Sequence, residues 1–383
     1  MEANFIYLDN SATTKPSDQV LESFTKASAQ YFGNASSIHG IGMDADRLLR
    51  KSREQAASLL QVSPNEIVFT SGGTEGNNIA IKGIALEHQN RGKHIITSTI
   101  EHPSVLEACQ GLEALGFDVT YLDVDESGLV DVSSVKAAMR DDTILVSIMH
   151  VNNEIGSVQP IKQIGEIVAN YPKAFFHVDH VQGFGKLPLN LDECHIDLCT
   201  ISGHKIHGLK GTGILFVKHN VKLFSLAHGG GQERKIRSGT ENVAGIVALV
   251  KAMRLALESQ DEVNAKLTSL KHILMEQLQS TEGIVINTPE QSAPHIINFS
   301  APGLKPEVVI HALEEFGIYI STKSACSSKS ADESAVLIAC GKERAVAISG
   351  LRVSMSKETT REEIEYFSQQ LQEVTEKLRE VMR

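Results

Sequence analysis

The sequence has no tryptophan and no apolar run long enough to cross a membrane. Its longest apolar runs, such as residues 243–250, fall far short of the roughly 20 residues that a spanning helix needs. The N-terminal residues are acidic and lack the basic flank and apolar core of a signal peptide. We therefore expect a cytoplasmic protein with no membrane segment.

Basic residues are also in short supply. The chain has 36 Lys and Arg against 47 Asp and Glu, a formal net charge of -11. Affinity for phosphate backbones depends on Lys and Arg displacing counterions, so nucleic acid is not an expected direct partner. The content of 42% hydrophobic and 22% charged residues is typical of a soluble globular protein, and the length allows two domains.

Cysteine is scarce as well. Five cysteines, at positions 109, 194, 199, 326 and 340, form neither a disulfide framework nor a Cys-x-x-Cys metal signature, so no metal site is predicted. Most are expected to be buried as small hydrophobic residues. Cys326 differs because it lies in a polar, hydroxyl-rich loop beside Lys323 and Lys329. Positive neighbours favour the thiolate, which makes Cys326 a candidate nucleophile.

Strand-like and helix-like segments alternate along most of the chain. Runs rich in β-branched residues, such as residues 144–148, suit strands that are buried on both faces. We therefore predict an α/β fold with a mostly parallel seven-stranded sheet between helices, and functional loops at the carboxyl ends of its strands. These strands are predicted at residues 66–70, 94–98, 119–124, 143–151, 174–178, 197–201 and 214–218.

The two ends of the chain have shorter, mixed elements. A strand near residues 5–8 precedes a turn at residues 9–14, which is expected at a surface. The last helix opens with a capping box at residues 360–363. Its apolar stripe favours core packing over a partner site and consists of Ile364, Phe367, Leu371, Val374, Leu378 and Val381. Further strands are predicted at residues 283–286, 295–299, 319–321 and 351–354.

Two polar turns are candidates for binding a phosphate group. Residues 70–77 follow a strand and open a helix, so free backbone amides meet at the positive end of the helix dipole. Glycines there allow close approach and Thr74 adds a hydroxyl, although a capped helix after a tight turn explains the pattern equally well. Residues 237–242 fit a phosphate site or, more simply, a helix start.

Other strand ends carry groups that suit a pyridine ring. The Asp179 carboxylate would keep a pyridine nitrogen protonated, although a helix cap is the commoner reason for such an aspartate. Gln182 would reach the phenolic oxygen, and His102 would stack on the ring and shuttle protons. Lys205 follows the bendable residues 202–204, so its amine is positioned to carry pyridoxal phosphate (PLP), although a solvated turn fits this stretch alone.

Together these motifs resemble the cysteine desulfurases, and more narrowly the NifS/IscS branch of the fold-type I, class V aminotransferase group. The matching stretches occur in the family's order at residues 70–75, 101–102, 150–156, 202–205, 237–240 and 324–327. The resemblance implies a homodimeric, fold-type I PLP-dependent transferase. Its large domain would be residues 15–257. Its smaller α+β domain would combine residues 1–14 and 258–383 and carry the cysteine loop at about 321–332.

The resemblance also assigns roles to the motif residues. The residues that would bind the cofactor are Gly73, Thr74, His102, Asn153, Asp179, Val181, Gln182, Ser202, His204, Lys205 and, contributed by the other subunit, Thr240. Asn153 and Arg352 would bind the carboxylate of L-cysteine. Lys205 and His102 would move its α-proton. The Cys326 thiolate would then take the sulfur, leaving L-alanine, and pass it to an acceptor protein.

Two features depart from the family pattern. The residue after the cofactor aspartate is usually small but is His180 here, which would crowd or retune the site. The chain ends at Arg383 without the tail by which IscS-type enzymes dock the iron-sulfur scaffold, so an acceptor of thiouridine or thiazole synthesis is favoured over that scaffold. The alternatives are a selenocysteine lyase or an aminotransferase on the same fold, or a non-catalytic protein that keeps the fold for binding.

Overall fold

A seven-stranded sheet is the centre of the fold. The structure, a computed structural model, describes residues 5–322 and 333–382. The strands of this part of the chain are β1 (Ile6–Tyr7), β2 (Ile67–Thr70), β3 (His94–Ser98), β4 (Asp118–Leu122), β5 (Thr143–Met149), β6 (Phe175–Asp179), β7 (Leu198–Ser202), β8 (Gly213–Val217), β9 (Val285–Ile286), β10 (Ile296–Ser300), β11 (Ile318–Tyr319) and β12 (Gly350–Ser354).

The helices surround the sheet and complete the C-terminal part. They are α1 (Asp18–Gln30), α2 (Gly40–Leu60), α3 (Gly73–His88), α4 (Pro103–Glu113), α5 (Val132–Ala138), α6 (Ile161–Val168), α7 (Val243–Glu258), α8 (Gln260–Ser280), α9 (Pro306–Glu314), α10 (Ala335–Ala339), α11 (Arg344–Ile348) and α12 (Arg361–Met382). Short helical turns lie at Gly203–Lys205 and Gln232–Lys235.

The sheet has the strand order β2-β8-β7-β6-β5-β3-β4. Within it, β8 runs antiparallel to both of its neighbours, and the other pairs are parallel. Both faces are buried, because Ile67 and Phe69 of β2 pack with α2 and α7, whereas Val68 packs with α3 and α4. This double burial explains why several of the strands are mostly apolar. The predicted mostly parallel seven-stranded α/β fold is confirmed.

A separate group of buried side chains joins the two ends of the chain. Leu8 packs with leucines of α8 and with side chains of β10, β12 and α12. The first strand, β1, pairs in parallel with β11. The predicted stripe of α12 is buried up to Val374, but Val381 is 81% exposed, so the stripe ends before it. The predicted capping box also forms, with hydrogen bonds in both directions between Thr360 and Glu363.

The turn at residues 9–14 is more buried than expected. Asn10, Ser11 and Thr14 are each less than 9% exposed. Asn10 Nδ2 donates to the Ser354 carbonyl oxygen at 2.9 Å, and the Thr14 amide donates to that of His204 at 2.9 Å. The expectation of a surface turn was wrong because two distant parts of the chain cover it.

Other differences from the prediction are small. The strand predicted at residues 143–151 ends at Met149, and α1 was not predicted. Helix α1 buries only Val20 and Ala27, so its sequence has too little apolar periodicity to be recognised. Among the helices of residues 5–322 and 333–382, none is both long and apolar enough to span a membrane.

We expect the free energy of unfolding to fall as the pH is lowered from 7 to 5, partly because of His177. Its ring lies 2.8 Å from Ser147 Oγ and 3.0 Å from Thr200 Oγ1, and burial lowers its pKa to about 3. The unfolded chain takes up this proton near pH ~6.5 and the folded chain does not. Stability is therefore lost as the pH falls below ~6.5, by about 2 kcal/mol at pH 5 for this one group.

Urea unfolding of wild type and His177→Gln at pH 7 and pH 5 measures this contribution. The loss on acidification should be smaller by about 2 kcal/mol in the variant, because glutamine does not titrate. A matched control is His272→Gln, since the His272 side chain is 75% exposed and should leave the pH dependence unchanged. An equal pH dependence in wild type and His177→Gln would contradict the expectation.

Candidate active site

One cavity collects most of the residues singled out from the sequence. It has a volume of about 150 Å³ and lies where β2, β5, β6 and β7 end. The predicted residues that line it are Gly73, Thr74, His102, Asn153, Asp179, Val181, Gln182, Ser202, His204, Lys205 and Arg352. Thr240 is exposed and is not among the lining residues. Cys326 lies outside the described residues.

The Asp179 carboxylate is buried and held by two donors. Its Oδ2 accepts from Asn77 Nδ2 at 2.7 Å, and its Oδ1 accepts from the Val181 amide at 2.9 Å. Asn77 lies in the first turns of α3 with its side chain against the sheet, and it is 1% exposed. Sequence reasoning missed Asn77. A polar residue on the apolar face of a predicted helix was the available signal.

His102 connects to the same network through Ser104. Asn77 Nδ2 donates to Ser104 Oγ at 2.9 Å, and Ser104 Oγ lies 2.8 Å from His102 Nδ1. His102 Nδ1 also accepts the Ser104 amide at 3.1 Å, so the neutral ring carries its proton on Nε2. Burial lowers the pKa of His102, although the Asp179 charge opposes this. A neutral imidazole therefore borders the cavity near pH 7 and can take up a proton.

Glu101 lies behind this network as a second buried acid. Its Oε1 accepts from Ser98 Oγ at 2.7 Å and from the Met149 amide at 2.9 Å. Burial raises the pKa of Glu101 to about 8, so the carboxyl is largely protonated at pH 7. The negative charge facing the cavity at this point thus comes from Asp179.

The end of the cavity next to α3 suits an anion. The helix begins at Gly73, and its N-cap residue Gly72, at φ +147°, provides no capping side chain, so the first amides stay available. Ser202 Oγ is buried without a partner among the described residues and lies 3.7 Å from where a Cβ on Gly72 would be. Burial and the Lys205 cation lower the pKa of His204 to about 4, so its ring is neutral.

Lys205 enters the cavity from the short helical turn after β7. Its Nζ donates to the carbonyl oxygens of Ser11 and Ala12, the latter at 2.7 Å. The Ser11 carbonyl also accepts from Gln182 Nε2 at 3.0 Å. Lys186, which sequence reasoning missed, donates to the Lys205 carbonyl oxygen at 3.1 Å. The N-terminal segment therefore covers the lysine amine, while Lys186 fixes its backbone.

Arg352 also lines the cavity and is 1% exposed. Its Nη1 donates to the Asn153 carbonyl oxygen and its Nη2 to Asp9 Oδ1, each at 2.9 Å. Its Nε has no partner among the described residues. Burial raises the pKa of Asp9, and the Arg352 cation opposes this. Asp9 was not predicted as a site residue, because nothing in the sequence connects it with Arg352.

His180 does not crowd this cavity, contrary to the expectation from its size. Val181 lines the cavity, whereas His180 points to the other side, where it lines a larger cavity of about 580 Å³. None of the predicted cofactor or substrate residues lines that larger cavity. The chemistry is therefore assigned to the smaller one.

Known proteins resemble this chain in sequence and in fold. The model of the aminotransferase class-V family matches residues 6–367. The chain belongs to this family, in its NifS/IscS branch. A "NifS/IcsS protein homolog" of Lactobacillus delbrueckii subsp. bulgaricus is 47% identical to it, over 94% of this chain and 95% of that protein.

Two further proteins match nearly the whole chain. A "Cysteine desulfurase IscS" of Methanosarcina thermophila is 44% identical, over 99% of this chain and 94% of that protein. A solved structure titled "NIFS-LIKE PROTEIN" is 39% identical and superposes with a TM-score of 0.91, over 97% of this chain and 99% of that one.

Class-V aminotransferases of this branch use PLP, and the cavity fits it. Four buried polar atoms of the cavity residues have no partner among the described residues: Ser11 Oγ, Asn77 Oδ1, Ser202 Oγ and Arg352 Nε. Buried polar groups are normally paired, so such atoms indicate a polar ligand. Free amides of α3 suit the phosphate of PLP, and the Asp179 carboxylate suits its protonated pyridine nitrogen.

Replacing Asn77 with Ala should weaken the binding of PLP about 10- to 100-fold, because a hydrogen bond to a charged group is worth about 1.5–3 kcal/mol. The measurement is an absorbance titration of PLP into stripped protein. Asn78→Ala is the matched control, since Asn78 is half-buried, does not line the cavity and donates to the Thr74 carbonyl oxygen at 3.0 Å. Equal affinity in the Asn77 variant and wild type would contradict the role of this hydrogen bond.

Proposed function

We propose that the protein is a cytoplasmic, PLP-dependent cysteine desulfurase that acts as a homodimer. It converts L-cysteine to L-alanine and transfers the sulfur to Cys326. The observation that carries the proposal is that a buried arginine, Arg352, faces the same cavity as Lys205 and Asp179. The name and 44% identity of the Methanosarcina relative support the substrate.

The cofactor is held by groups at both ends of the cavity. Lys205 binds it through the amine, and Asp179 keeps its pyridine nitrogen protonated. When bound, PLP supplies an electron sink that stabilises negative charge on the α-carbon of the substrate. Ser202, His204 and the first amides of α3, including those of Gly73 and Thr74, hold the phosphate.

Arg352 binds the substrate carboxylate. Two of its nitrogens are already fixed by Asn153 and Asp9, so the guanidinium is rigid before the substrate arrives. A fixed, buried guanidinium binds a carboxylate strongly and loses little side-chain entropy. The Asp9 carboxylate offsets part of the arginine's charge. This lowers the free-energy cost of burying the guanidinium when L-cysteine is not bound.

Lys205 and His102 move the protons. Both side chains line the cavity, and the neutral His102 ring can take the α-proton and return it. The C–S bond of L-cysteine then breaks and an S–S bond forms at Cys326, while the carbon that loses sulfur gains a proton.

The position of Ser321 supports the role of Cys326. Its amide and carbonyl pair with the backbone of Arg352, at 3.1 and 2.7 Å. Cys326 is five residues further along the chain. A chain of that length reaches at most about 17 Å, which is enough to bring a thiol to a substrate held by Arg352.

Replacing Cys326 with Ser should lower alanine formation from L-cysteine at least about 100-fold, because the sulfur then lacks its nucleophile. The absorbance change of the loaded protein on adding L-cysteine should persist, since Lys205 and Arg352 are intact. Cys194→Ala serves as the control cysteine variant, because Cys194 is buried away from the cavity. Unchanged turnover in Cys326→Ser would favour the aminotransferase or selenocysteine lyase instead.

A group of exposed apolar side chains supports the homodimer. Phe32, Ile38, Ile41 and Met43 are between 48% and 95% exposed. Monomers rarely expose such groups together, which favours an interface.

The loop of Thr240 lies beside that surface. Gln232 donates to Ser36 Oγ at 3.4 Å and accepts the Gly239 amide at 3.3 Å, so it bridges the exposed apolar segment and this loop. We propose that the two protomers meet here and that each presents Thr240 to the phosphate of the other. The division into domains 15–257 and 1–14 with 258–383 belongs to the same proposal, supported by the packing of Leu8 with α8 and α12.

Mixed dimers test this exchange. A Lys205→Ala protomer paired with a Thr240→Ala protomer keeps one competent site, whose Thr240 comes from the first protomer, and should bind PLP as wild type does. A Lys205→Ala/Thr240→Ala protomer paired with wild type should bind it about 10-fold more weakly, for the loss of one hydrogen bond of about 1.5 kcal/mol. Equal affinity of the two hybrids, or a monomer on sedimentation, would contradict the proposal.

The acceptor that we propose is a protein of thiouridine or thiazole synthesis. Its identity is testable by capturing a mixed disulfide on Cys326 and comparing the captured protein with that from a Cys326→Ser bait.

A further inference from the structure

A pair of buried histidines lies directly behind the cofactor aspartate. His180 Nδ1 is 2.9 Å from His150 Nδ1, and the two ring centroids are 4.8 Å apart at an angle of 38°. Phe184 packs edge-on against the His180 ring at 5.8 Å. Both histidines are 5% exposed. The mechanism above uses neither ring.

The two rings connect the turns that follow β5 and β6. His150 is the first residue after β5 and leads into the loop of Asn153, while His180 directly follows Asp179. The His150 amide donates to the Asp179 carbonyl oxygen at 2.8 Å, so backbone and side-chain contacts both cross between the two turns. The ring contact is thus the side-chain tie between the substrate-binding and cofactor-binding turns.

Gly183 leaves room for this pair. A Cβ at Gly183 would come within 2.5 Å of His150 Nδ1 and 2.6 Å of His180 Nδ1. Its backbone is not in the left-handed region, so the conformation itself does not require glycine. Space for the two rings is therefore the reason for glycine here. The large side chain of His180 thus occupies space that the lack of a side chain at Gly183 leaves free.

The contact between two Nδ1 atoms requires one proton between them. One ring must donate and the other accept, because two protonated nitrogens would face each other at 2.9 Å. Burial lowers the pKa of His150 to about 4 and that of His180 well below its usual value. Both rings are therefore neutral near pH 7, as the hydrogen bond demands.

We propose that His180 is a positioning residue that, through His150, fixes the loop of Asn153 relative to Asp179. The loop is sensitive to such a tie because the Asn153 carbonyl oxygen accepts from Arg352 Nη1. A shift of residues 150–153 therefore moves the guanidinium that binds the substrate carboxylate. The role in substrate binding rests on the proposed function, whereas the tie between the two turns does not.

Two substitutions of similar size separate the hydrogen bond from packing. His180→Asn keeps a polar group near the position of Nδ1, and His180→Leu fills the space without one. In His180→Leu the KM for L-cysteine and the dissociation constant of L-alanine should both rise about 5- to 10-fold, with kcat within 2-fold. His180→Asn should stay within 2-fold of wild type in all three. The proposal would be overturned if His180→Leu had the KM and dissociation constant of wild type. It would also be overturned if both constants rose as much in His180→Asn as in His180→Leu.

Hydrogen exchange gives a readout that does not involve catalysis. In cofactor-free protein, the amides of residues 152–156 should exchange about 10-fold faster in His180→Leu than in wild type or His180→Asn. Gly183→Ala keeps both histidines but forces the rings apart, so it should resemble His180→Leu. Equal exchange in all four proteins would refute the tie. If the absorbance spectrum of PLP-loaded wild type did not change on adding L-cysteine, the proposed function would be refuted. The hydrogen-exchange result would still be valid.

Discussion

The arrangement of the active site depends on one buried carboxylate. Asp179 ends a central strand and is 6% exposed, where an unpaired charge would be strongly unfavourable. Asn77 and the Val181 amide satisfy it, and Asn77 also connects it to Ser104 and His102. The same donors orient the carboxylate towards the cavity. Hydrogen bonds from Asp179 thus extend through α3 to the start of α4 at the carboxyl edge of the sheet.

Much of the fold could be predicted from the sequence because its signals are local. Runs such as residues 144–148 are apolar at every position but Ser147 and rich in β-branched residues, which favours a strand that is buried on both faces. Lys205, Asp179 and Thr74 were recognisable for a similar reason, since each lies at or just after the end of a strand, within a short polar motif. Their convergence at one cavity follows from parallel strands, whose carboxyl ends meet at one edge.

The residues that were missed are those whose partners are distant in sequence. Asn77 and Asp179 are 102 residues apart. Lys186 and Lys205 are 19 residues apart, and the hydrogen bond between them forms because the segments after β6 and β7 lie side by side. The burial of residues 9–14 likewise depends on Ser354 and His204. A sequence shows that such residues are polar, but packing decides which partner each one finds. His180 illustrates the same limit. Its size suggested that it would crowd the cofactor cavity, but its side chain points away from that cavity.

The pair of Asp9 and Arg352 joins residues that are 343 positions apart. During synthesis, the ribosome must release the chain up to residue 352 before this arginine can meet its aspartate. The sheet and Lys205 lie within the first 218 residues and are translated long before that. A chain that stops before residue 352 can thus contain the whole sheet and Lys205 but lacks the arginine that lines the same cavity. The cavity that holds both residues is therefore completed only after residue 352 has been translated.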